Sequence, residues 1–132
     1  MPIPKAELQR LQGLSILVET PKGPHSILQQ GSPQGLPALI QPGGWAICPT
    51  LFGGDSEEKR LHDLEHRLRQ AGLSSVAVRF ELSEEEHTGR FVLGMSRAKA
   101  VALGYKMKLW AVFEVKEATY SVVYTGHNSR SR

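Results

Sequence analysis

Cysteine is nearly absent: Cys48 is the only one in 132 residues. An intramolecular disulfide is therefore excluded, and with it the small disulfide-stapled secreted scaffold. No apolar run approaches the ~20 residues that a membrane-spanning helix needs. The first residues, MPIPKAELQRLQGL, lack the apolar segment of a secretory signal. The expectation is a cytoplasmic protein with no membrane partner. Charge of one sign is also scarce, because 16 Lys and Arg face 13 Asp and Glu for a net +3. A nucleic-acid partner is permitted by that balance and not required by it.

An apolar content of 40% is that of an ordinary globular chain. At 132 residues it makes one domain, burying roughly two thirds of its unfolded surface in a single core. We expect a single α+β domain over residues 1–126, with a Pro/Gly-rich connection at 31–44 and a flexible tail at 127–132.

Periodicity supplies the elements. Residues 4–12 suit a short helix before Gly13, LSILVE (14–19) a strand, TPKGP (20–24) a turn and HSILQQ (25–30) a returning strand. WAIC (45–48) is apolar at every position, as in a strand covered on both faces. DSEEKRLHDLEHRLRQAG (55–72) reads as a helix, with Asp55 and Glu58 as a capping box and Gly72 as the stop. Its apolar stripe is Leu61, Leu64, Leu68 and Ala71. SVAVRFEL (75–82) alternates strictly, with Val76, Val78, Phe80 and Leu82 facing in. SEEEHTG (83–89) reads as an acidic loop with a mobile tip, and RFVLG (90–94) as the next strand. Ser96 can cap a second helix whose inner stripe is Ala98, Val101, Ala102 and Tyr105. LWAVFEV (109–115) and TYSVVYT (119–125) close the chain as a hairpin. The order β-β-β-α-β-β-α-β-β predicts one mixed, mainly antiparallel sheet with two main helices packed on one face.

Chemistry is harder to locate. His62, Glu65 and His66 match H-x-x-E-H, in which two His residues at i and i+4 share a helix face and can reach one zinc. No third ligand is fixed by the sequence, His87 and Glu84–Glu86 being the only candidates nearby in type. The bland alternative is a polar helix face. The expectation is no metal, no cofactor and no catalytic residue. Arg60 and Arg67 on the first main helix, with Arg97, Lys99 and Lys106 on the second, form a candidate polyanion surface. Solvated helix faces carry the same charges. Cys48, in an apolar strand, reads as a buried thiol without an activating base in its sequence neighbourhood. Gly53–Gly54 precedes a helix start, where backbone amides can hold an anion, although ordinary turn use is the commoner role.

The pieces EKRLHDLEHRLRQAGL, FVLGMSRAKAVALGYKM and AVFEV follow one another at spacings similar to those of a bacterial family, domain-of-unknown-function family 3293. The resemblance covers about residues 45–124. It implies the frame and carries no activity. The family's polar motifs are not kept: Ile47–Leu51 lacks the Asn-Pro, Thr88–Gly89 replaces Glu-Pro, and Lys108 or Leu109 stands where Gln is usual.

The reading is therefore a small non-catalytic module that binds an unidentified protein or a second copy of itself. A homodimer would use Trp110, Val112 and Val123 on the closing hairpin, opposite Leu109, Ala111 and Phe113. The alternatives are a nucleic-acid or polyanion-binding module on the two basic helices, and a metal-dependent hydrolase on the histidines.

Overall fold

The computed structural model describes residues 9, 11, 13–21, 23–28, 40–41, 43–51, 56–82, 84–116 and 119–126. Asp55, the Gly53–Gly54 pair, most of the expected helix at 4–12 and connection at 31–44, and the tail at 127–132 lie outside the described residues. The strands are β1 (Ser15–Thr20), β2 (Gly23–Ile27), β3 (Gly43–Ile47), β4 (Ser75–Leu82), β5 (Glu85–Val92), β6 (Ala111–Lys116) and β7 (Thr119–Tyr124). The helices are α1 (Glu57–Gln70) and α2 (Arg97–Lys106). The α+β element order is the one the periodicity predicts.

All seven strands join one sheet in the order β2-β1-β4-β5-β3-β6-β7. Each neighbouring pair is antiparallel. The sheet curls until its outer strands meet, where Leu28 and Thr119 make an isolated parallel bridge. The Thr119 hydroxyl donates to the Leu28 carbonyl at 3.3 Å. Inside, the Tyr120 hydroxyl donates to the Leu14 carbonyl at 2.7 Å. Phe80 of β4 and Phe113 of β6 are not sheet neighbours, yet their ring centroids lie 5.9 Å apart across the interior. Tyr120 meets Phe113 edge-on at 5.7 Å. The concave face is thus a packed core, joined by Ile16, Val18, Ile27 and Ala46 and reached by Leu11, Ile40 and Leu51.

The convex face carries a second core. Leu64 and Leu68 of α1 and Ala100 of α2 share it with Trp45, Ile47, Val92 and Val112. Each fully buried Leu contributes about 1.5–3 kcal/mol relative to exposure. β3 alternates between the two cores, with Ala46 and Cys48 on one side and Trp45 and Ile47 on the other. That is why WAIC is apolar throughout. The Trp45 indole N–H is satisfied by the Met95 carbonyl at 2.9 Å, which fastens β3 to the approach of α2.

Both helices end in the same way. Leu73 N–H donates to Leu68 O and Gly72 N–H to Arg69 O, each at 3.0 Å, with Gly72 at φ 70°. At α2 the matching bonds are Leu109 to Gly104 and Lys108 to Tyr105. These are Schellman motifs. In the second, Lys108 takes the left-handed position at φ 63°, where glycine is usual.

Four expectations are corrected. The cap of α1 is Ser56, one residue later than expected, and its Oγ accepts from Lys59 N–H at 3.3 Å. SEEEHTG is mostly strand, because β5 pairs with β4 along its whole length, from Leu82↔Glu85 to Ser75↔Val92. The inner side of α2 is Ala100, Leu103, Gly104 and Met107, while Ala98, Ala102 and Tyr105 are exposed. Small residues on every side of that helix leave its phase unmarked. The proposed interface residues do not share an open face. Val112 is fully covered under the convex core, Val123 packs against the same core, and Trp110 packs against the concave one. Curling removes the uncovered flat face on which their grouping relied.

Gly104 sets how closely α2 lies on β6. A Cβ there would come to 2.6 Å from Thr125 Cγ2 and 2.9 Å from Val112 Cγ1. Thr125 cannot swing aside, because its hydroxyl donates to the buried Leu109 carbonyl. Gly104→Ala is expected to destabilise the protein by about 1–3 kcal/mol despite alanine's better helix propensity. Urea unfolding should show a lower midpoint with an unchanged slope; an unchanged midpoint would mean that the helix stands off.

Burial pushes the Cys48 thiol up to about 12, opposed in part by hydrogen bonds from Thr50. Burial likewise pushes the Tyr120 phenol up to about 12. Both sites therefore hold their protons in the folded state at pH values where the unfolded chain has lost them. The folded state binds more protons, so stability falls as pH rises from about 9 to 12. Urea midpoints should decline across that range, and Tyr120→Phe should start lower at pH 8 and decline less.

Candidate functional site

The five candidate basic residues do not all lie together. Arg60 is a structural clamp: Nε donates to Pro49 O and Nη2 to Met107 O, each at 2.9 Å. It ties α1 to the chain after β3 and to the end of α2. Arg97 leaves the helix pair and binds Glu114 of β6 at 2.8 Å. Arg67, Lys99 and Lys106 do converge. They border a groove of about 400 Å³ between α1 and α2. Leu68, Leu73, Met95 and Leu103 supply its apolar lining, and no carboxylate among the described residues lines it.

Helical spacing explains this assembly. Lys99, Ala102, Leu103 and Lys106 fall at intervals of three, one and three along α2, which is one face of a helix. Ala102, expected inside, is a groove wall. Arg67 also binds Asp63 one turn earlier, at 3.2 Å. Lys99 and Lys106 make no side-chain ion pair among the described residues. Sequence reading found these cations but not the apolar lining, since Leu73 and Met95 lie outside both helices.

The histidine motif gathers no third ligand among the described residues. His62 and His66 are exposed, and Glu65 turns to Arg90 of β5 at 3.4 Å. Arg90 is held in turn by Ser75, through its Oγ at 3.0 Å and its carbonyl at 3.1 Å. Among the described residues no three His, Cys, Asp or Glu side chains gather as metal ligands. No helix among them is long and apolar enough to cross a membrane.

A different histidine has chemically competent neighbours. β3 pairs with β5 as Trp45↔Val92, Ala46↔Phe91 and Ile47↔Arg90. Carried three residues further, that register sets Thr50 opposite His87 at the mouth of the curled sheet. Thr50 Oγ1 and His87 Nδ1 are 2.9 Å apart. Glu85, two residues before His87 and so on the same side of β5, lies 3.1 Å from Nε2. The His87 side chain keeps 15% exposure. The buried Cys48 thiol lies beside the Thr50 side chain, which lowers the thiol's raised pKa in part. From α1, Glu57 reaches the mouth and accepts from Thr88 N–H at 3.2 Å. No sequence motif announces this chain, because register alone brings together residues 37 positions apart.

Compared with family models, curated proteins and solved structures, the chain finds no match.

The clamp role of Arg60 separates it from the groove cations. A lysine cannot reach both carbonyls with a planar fork. Arg60→Lys should cost about 1–2 kcal/mol of stability, read as a lower thermal midpoint. A variant as stable as the parent would return Arg60 to the free basic surface.

Proposed function

We propose that the protein is a binding module that takes an acidic, amphipathic segment of another protein into the groove between α1 and α2. One observation carries this reading: an apolar groove whose charged border is of a single sign. Apolar side chains of the segment would be buried on Leu68, Leu73, Met95 and Leu103, and its carboxylates would meet Arg67, Lys99 and Lys106. Lys99 and Lys106 are two helical turns apart, ~10 Å, which matches carboxylates seven residues apart on a partner helix.

The same three cations attract phosphates, which is the polyanion reading. Single-stranded nucleic acid also needs aromatic platforms. None of the groove's lining residues is aromatic, and exposed Tyr105 stands outside it. That favours a protein partner. In this reading both helices lie on one face of the sheet, and the module works in the cytoplasm with Cys48 as a buried thiol. The resemblance of residues 45–124 to domain-of-unknown-function family 3293 supports the frame alone. A contact between two copies is the competing occupant, and Val112, buried within its own chain, has no part in it.

The test uses a labelled helical peptide with Leu at i, i+3 and i+7 and Glu seven residues apart on one flank. Fluorescence anisotropy should show saturable binding that weakens with salt. Lys99→Glu with Lys106→Glu should weaken it about tenfold or more, while Arg97→Glu changes it little. Peptide binding that ignores the double reversal, or tighter binding of an equally labelled RNA, would overturn the protein-partner reading.

A further inference from the structure

We propose that Thr50, His87 and Glu85 form an acyl-transfer site at the barrel mouth, with Thr50 as nucleophile toward small uncharged or cationic carboxylic esters. A hydroxyl, a base and a group that orients the base, each within hydrogen-bond reach of the next, are the arrangement that activates an alcohol. Both distances, 2.9 Å and 3.1 Å, meet that requirement. The Glu85 carboxylate accepts from His87 Nε2–H, which leaves the Nδ1 lone pair to take the Thr50 proton. Glu85 is a positioning residue; Thr50 and His87 would touch the reacting atoms.

The steps balance without a cofactor. Thr50 Oγ forms a bond to the ester carbonyl carbon as its proton passes to His87 Nδ1. The C–O bond to the alcohol then breaks, and the leaving oxygen takes that proton. Water attacks the resulting threonyl ester, giving a proton to Nδ1. The carboxylic acid departs as Thr50 Oγ regains the proton. The groups around His87 set the substrate charge. Glu85 faces it from β5, Thr50 with Cys48 behind it from the end of β3, and Glu57 reaches the adjacent Thr88 from α1. The two carboxylates, Glu85 and Glu57, disfavour anionic esters. A threonine methyl crowds the attacking oxygen, so the native rate is modest.

The experiment incubates the full chain with p-nitrophenyl acetate, follows nitrophenolate release and maps acetylation by mass spectrometry of acid-quenched peptides. The expected result is acetyl on Thr50, with turnover reduced about 100-fold or more in His87→Gln. Thr50→Ser should raise turnover severalfold, Thr50→Val should abolish the specific reaction, and Glu85→Gln should lower kcat with KM unchanged. p-Nitrophenyl hemisuccinate should react more slowly than the acetate. A fluorophosphonate probe on the native protein gives a readout independent of any variant's folding, and should label Thr50. Native protein acetylated on lysines alone and unlabelled at Thr50 would overturn the proposal, leaving the hydrogen-bond chain as a tether for the segment after β3. Neither result depends on the groove between the helices.

Discussion

The hydrogen bond from the Tyr120 hydroxyl to the Leu14 carbonyl holds the first and last parts of the sheet together. It is buried, so losing it would strand a carbonyl away from water. With the Leu28–Thr119 bridge beside it, the seam leaves β2 and β7 close to one another rather than open to other chains. The rings of Phe80, Phe113 and Tyr120 lie behind the seam and come from three different parts of the strand order. Their contacts set how tightly the sheet can curl. Every other placement, including that of the mouth and of the convex core, follows from this curvature.

Curling also determines what the helices do. A second apolar cluster joins residues of β3, β5 and β6 with Leu64 and Leu68 of α1 and Ala100 of α2. The two helices approach it differently. α1 uses two large leucines, whereas α2 uses alanine and glycine and lies close to β6. A furrow runs between them, lined by the lysines of the second and an arginine of the first. The groove is thus a by-product of packing whose charge is set by a few surface positions. The mouth has another origin, since it depends on the β3–β5 register, and it is joined to the helix pair through Glu57, Arg60 and the Arg90–Glu65 contact.

Much of the fold was legible where pattern and burial agree. SVAVRFEL shows its alternation because one side faces the core and the other carries Arg79, which binds Glu19 and Glu86. The leucines of α1 and its stop at Gly72 were readable for the same reason. Legibility failed where burial leaves no mark. The first half of β5 is polar on both sides because it extends beyond the helices to the mouth, so Glu85–Thr88 looked like a loop. α2 buries only Ala100 and Gly104 fully, and its largest apolar side chain, Tyr105, points outward, so its phase is unmarked. The cations of the groove were visible one by one, yet nothing in the sequence divides Arg60 and Arg97, which are structural, from Arg67, Lys99 and Lys106, which converge. Thr50 and His87 were invisible as a pair, because a register is a property of two strands and not of either.

The Tyr120–Leu14 contact joins residues 106 positions apart. Local pairs such as β4 with β5 can form as soon as their own turn closes, at little entropic cost. The seam cannot, because it has to await β7 and gather both ends of the sheet at once. Chains dominated by such distant pairings fold slowly, on the scale of milliseconds to seconds. During synthesis, β1 and β2 emerge early and remain without their closing neighbour until Tyr120 has been made. In that interval their edge is open to pairing with other chains.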